Sequence, residues 1–74
     1  MSLKPPKSGD ELLAMYYLDM RSHLLEVAAA FDRIEAAGGT ADPRLESLRH
    51  VAKLAVDENP RRAERFLEFL SVES

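Results

Sequence analysis

Residues 10–37 read DELLAMYYLDMRSHLLEVAAAFDRIEAA, and the order of apolar and polar side chains in this stretch decides the fold. Leu13, Tyr17, Met20, Leu24, Val27, Phe31 and Ile34 follow one another at alternating steps of four and three. That is the seam of a heptad repeat, whereas a strand would alternate every second residue. Tyr16, His23, Ala30 and Ala37 flank the seam on one side and Leu18 and Leu25 on the other, while Asp19, Glu26 and Arg33 centre the opposite, polar face. The stripe is wider than a two-stranded coiled-coil seam and predicts a helix packed on two fronts.

The ends of this helix are marked. Ser8-Gly9-Asp10-Glu11 has the form of a capping box, in which the serine and glutamate side chains each accept the other's backbone N–H. Asp10 and Glu11 also set negative charge at the positive end of the helix dipole. Gly38-Gly39 supplies the left-handed backbone that closes a helix without steric cost. Upstream, Lys4-Pro5-Pro6-Lys7 favours an extended, solvated arm over residues 1–7. Downstream, Asp42-Pro43 and Asn59-Pro60 each resemble an N-cap followed by proline at the first helical position. They predict a second helix over about 43–57 and a third over about 60–71. The second presents Leu45, Leu48, Val51, Ala52 and Ala55, with Leu54 or Val56, to the core. The third presents Ala63, Phe66, Leu67 and Leu70.

Lengths turn these elements into an architecture. At 1.5 Å per residue the first helix is about 42 Å long, and the two shorter helices together reach about 40 Å if laid end to end. A compact globule of this size is only about 29 Å across. The expectation is one all-α domain over residues 8–74: a long-helix hairpin in which two shorter helices return along the first. Phe66 and Phe69 would then cap the end occupied by Tyr16 and Tyr17. Such a hairpin covers only part of the wide stripe, so a second copy is expected to complete a helical bundle as a homodimer.

Composition narrows the function. Charged residues make up 31% of the chain and hydrophobic ones 46%, a globular balance rather than a disordered one. The net charge of −3 disfavours nucleic acid and anionic membrane surfaces as partners. There is no cysteine, so disulfides and thiolate metal sites are excluded and a cytoplasmic location is expected. MSLKPPKSG lacks the apolar core of a signal peptide, and no apolar run reaches the roughly 18 residues of a membrane span.

The candidate chemistry is thin. Asp19 with His23, and Glu46 with His50, lie four apart on their helices, and each pair presents two metal ligands where a site needs three or four. Ser22 and His23 are adjacent and diverge on a helix; Ser47 and His50 are better spaced but have no glycine-rich turn to supply oxyanion donors. No catalytic residue, metal site or cofactor is therefore assigned. Arg61, Arg62 and Arg65 are the unusual feature, since cations in the first turn of a helix oppose its dipole. Either Asp57 and Glu58 neutralise them across the turn, or they form an anion-binding site in a helix-turn-helix-like arrangement. The leading expectation is a non-catalytic oligomerisation or protein–protein interaction module, with Leu13, Tyr17, Met20, Leu24, Val27, Phe31 and Ile34 as the self-association seam. A nucleic-acid-binding regulator and a metal- or ligand-binding bundle are the alternatives.

Overall fold

The computed structural model describes residues 7–73. Among them are three helices and no strand: α1 Gly9–Ala36, α2 Arg44–Val56 and α3 Arg62–Glu73. Of the arm expected over residues 1–7, all but Lys7 lies outside the described residues. Contacts within the chain gather into two units, one carrying α1 and ending at Gly39, the other running from Thr40 and carrying α2 and α3.

The first unit is a single uninterrupted helix of 28 residues. Its capping box is complete. The Ser8 hydroxyl accepts the Glu11 N–H at 3.1 Å, and the Glu11 carboxylate accepts the Ser8 N–H at 3.0 Å. The backbone N–H of Ser8, first, and then its side chain hold the Glu11 carboxyl below its ordinary pKa. At the other end, the Gly39 N–H reaches back to the Ile34 carbonyl at 2.7 Å and the Gly38 N–H to the Glu35 carbonyl at 3.0 Å. This is a Schellman closure, and it requires the left-handed φ of 102° that Gly38 adopts. No α1 residue is buried.

The second unit is a helical hairpin. Asp42 opens α2: its carboxylate accepts the Arg44 N–H at 2.9 Å and the Arg44 guanidinium at 2.7 Å. Pro43 itself takes the N-cap position, one residue later than the sequence pattern suggests. Beyond Val56 the chain reverses, and α3 doubles back on α2. The His50 and Phe69 rings stack with centroids 4.1 Å apart, and Asp57 is bonded to Arg65. The two short helices are therefore not laid end to end. Within this unit Phe69 closes on His50.

The turn explains both the reversal and a shift in the start of α3. Asp57 Oδ1 accepts the Asn59 N–H at 3.0 Å, an Asx turn that bends the chain straight after α2. Arg61 then takes a left-handed φ of 58°, and its carbonyl accepts the first helical bond, from the Arg65 N–H at 3.0 Å. Arg61, not Asn59, thus caps α3, and the helix starts at Arg62 rather than near Pro60. The covered face moves too. Arg65, Phe66 and Phe69 are half-buried, whereas Leu67, expected in the core, is 64% exposed. With the Arg65 side chain held at the turn, α3 is rotated to present that face. On α2, Val51 is buried, Leu45, Ala52 and Leu54 are half-buried, and Leu48, Ala55 and Val56 are exposed.

The left-handed Arg61 yields a prediction. A non-glycine residue there carries a steric cost of about 1–2 kcal/mol. The exposed Arg61–Glu64 contact of 3.4 Å returns only a few tenths of that. Arg61→Gly should therefore stabilise the protein by roughly 0.5–1 kcal/mol in urea denaturation. A loss of the size that glycine causes inside a helix would show that the turn is formed differently.

Candidate functional site

Two features carry the residues singled out by the sequence: the seam of α1 and the basic turn before α3. Along α1, the seam residues Leu13, Tyr17, Met20, Leu24 and Val27 are between 47% and 58% exposed. Phe31 and Ile34, towards the C-terminal end, are half-buried. Leu12, Met15, Tyr16, Leu18 and Leu25 add to the exposed apolar surface of the same helix. The Arg21 guanidinium lies over the Tyr17 ring, 5.8 Å from its centroid, shielding one edge of the seam. Isolated apolar residues on a surface are ordinary; here they follow one another as a continuous stripe along one helix.

At the turn, Arg65 makes a two-pronged pair with Asp57. Nη1 reaches Oδ2 at 2.9 Å and Nη2 reaches Oδ1 at 2.7 Å. Nη2 also donates to the Asn59 carbonyl at 2.9 Å, and Nε to the Pro60 carbonyl at 3.0 Å. The planar fork of the guanidinium fits this set of acceptors as a lysine could not. Arg62 Nε donates to the Asp57 carbonyl and lies 3.8 Å from Oδ1. Arg61 stands at the surface beside Glu64. The three arginines therefore differ: Arg65 is a staple of the hairpin, Arg62 is tied to the same aspartate, and Arg61 is the outermost.

The pair is partly screened from water, with side-chain exposures of 24% for Arg65 and 28% for Asp57. The hydrogen bonds from Arg65, first, and the Asn59 N–H hold the Asp57 carboxyl down to about 2, and Arg65 is raised in turn. Sequence proximity flagged the charge neutralisation. The eight-residue reach of a two-pronged pair and the carbonyls it gathers needed the folded turn.

The histidines sit apart from any site of this kind. His23 is exposed on α1. His50 stacks on Phe69 beside a shallow, open groove of about 440 Å³ bordered by Pro43, Glu46, Ser47 and Lys53. Glu46, its candidate co-ligand, approaches Arg49 at 3.6 Å. Among the described residues no three of His, Asp or Glu come together as a metal site, and no helix is long and apolar enough to cross a membrane.

The Asp57 geometry sets a pH dependence. A carboxyl at about 2 when folded and near 3.8 when free binds its proton more readily in the unfolded chain. Its stabilising effect is therefore complete above about pH 4 and disappears as the pH falls towards 2. Urea midpoints of the natural protein and of Asp57→Asn should differ above pH 4 and converge on acidification through that window. A gap that stays constant down to pH 2 would remove the pair from the account.

No protein-family model, curated protein or solved structure matches the chain, so its function is read from its own side chains.

Proposed function

We propose that the chain is a non-catalytic self-association module in which two copies pair through the α1 seam to complete a helical bundle. The observation that carries this reading is the exposure of Leu13, Tyr17, Met20, Leu24 and Val27 along one face of an unbroken 28-residue helix.

Length supports it. α1 extends about 42 Å, while α2, the longer arm of the hairpin with 13 residues, extends about 20 Å. Because α3 folds back on α2 rather than prolonging it, the hairpin is itself only about 20 Å long. Each large apolar side chain left in water forgoes about 1.5–3 kcal/mol. A seam at heptad spacing is also self-complementary, since knobs of one helix fit holes of an identical one. A second copy is therefore the partner whose shape the pattern already specifies.

The turn argues against the nucleic-acid alternative. Arg65, one of the three candidate anion ligands, has both prongs on Asp57 and its remaining named donors on backbone carbonyls. Residues 42–65 carry six Lys and Arg side chains against five Asp and Glu, too even a balance for the electrostatic footprint of a DNA reader.

Light scattering at micromolar concentration should give twice the chain mass of 8.3 kDa. Leu24→Asp, which buries a charge at the centre of the seam, should shift the mass to that of one chain or unfold it. A mass of 8.3 kDa for the natural protein across that range would end the proposal.

A further inference from the structure

Resting on that reading, we infer that the two α1 helices pair antiparallel, in one register, with Leu24 facing the partner's Val27, Met20 the partner's Phe31 and Tyr17 the partner's Ile34. The residues that border the seam select this arrangement. One border carries Ala14, Arg21, Ala28 and Glu35; the other carries Tyr16, His23, Ala30 and Ala37. In a parallel pair, one border of each helix meets the opposite border of its partner; in an antiparallel pair, each border meets its own kind.

Antiparallel pairing in the stated register sets a large side chain against a small one at every bordering position. Arg21 meets the partner's Ala28, Glu35 meets Ala14, Tyr16 meets Ala37 and His23 meets Ala30. Neither border brings like charges together. The observed placement of Arg21 fits: its guanidinium already leans over its own Tyr17, and a methyl group opposite leaves room for it to stay there. The seam itself pairs aromatic with aliphatic in the Tyr17 and Met20 layers, and Leu13 reaches the partner's helix end at Gly38.

The alternatives each lose something. Sliding by one heptad in one direction sets Arg21 against the partner's Arg21, a like-charge contact on the two-fold axis, and crowds His23 against its own copy where the stated register offers an alanine. Sliding in the other direction joins Arg21 to Glu35 but leaves Leu13 and Tyr17, two of the exposed seam residues, beyond the partner's helix. A parallel pair stacks Tyr17 on Tyr17 and Phe31 on Phe31, sets Tyr16 against Arg21, and places the acidic first turns, Asp10 and Glu11, side by side.

The chain has no cysteine, so introduced thiols report proximity without background. Met20→Cys and Phe31→Cys are made separately and oxidised alone and as a mixture. Antiparallel pairing predicts a cross-linked dimer in the mixture and little in either variant alone, because residues 20 and 31 of one helix are about 16 Å apart and cannot bridge within a chain. Should the loss of Phe31 unfold the protein, Arg21→Cys and Ala28→Cys, which remove no seam residue, are tested in the same way with a short bis-maleimide. Cross-linking of each single seam variant with itself would show parallel helices and overturn the inference. So would a dimeric mass with no mixed product in either pair, or Ala28→Cys linking to itself, which marks the other register. A single-chain mass in light scattering would instead remove the self-association beneath it.

Discussion

The length of α1 governs the rest of the molecule. Its 28 residues stand without a break between a complete capping box and a glycine closure, so its apolar stripe is presented as one rigid surface about 42 Å long. Helix propensity alone does not hold a stripe of Tyr, Met, Leu and Val in water; amphipathic helices in proteins owe their stability mainly to the face they bury. More than a third of the 74 residues lie in this one helix, and none of its residues is buried. The hairpin of α2 and α3 folds on itself. The proposal of self-association rests on this exposed stripe as a whole rather than on any single residue.

The second unit settles a different conflict. Asp57 ends α2 and Arg61, Arg62 and Arg65 begin α3, each at the helix end that its charge disfavours. The turn converts that liability into a fastening, because the misplaced charges are brought together. The carboxylate accepts two guanidinium prongs and one backbone N–H, and the same arginine gathers the carbonyls of Asn59 and Pro60. The left-handed Arg61 is the conformational cost of this arrangement. With one buried core residue, Val51, among those described, the hairpin depends on such polar fastening to a degree that a larger domain would not.

Much of this was legible in the residues themselves. Periodicity located all three helices, and the Ser8–Glu11 box and the Gly38-Gly39 stop fell within one residue of the ends of α1, because local hydrogen bonding decides those ends. Asn59-Pro60 misled because a proline after an N-cap residue is a start signal only if the chain runs straight on. Here the Asp57 carboxylate captured the Asn59 N–H first and delayed the helix to Arg62. The end-to-end return of the two short helices was also not to be had from lengths. Whether a chain reverses at a turn is set by a few dihedral angles, and those hinged on a pairing eight residues apart. The seam was readable as a pattern, and the proposed pairing rests on the self-complementarity of that pattern.

Coupling between folding and association tests the central claim directly. If the α1 stripe is covered by a second copy, native structure and dimer form together, and the thermal midpoint must rise with protein concentration by mass action. Melting curves followed by circular dichroism over a hundredfold range of concentration should show a steady upward shift in Tm, and Leu24→Asp should abolish that dependence. A Tm that stays fixed across the range for the natural protein would mean that the stripe is stable in the single chain, and the account would be wrong.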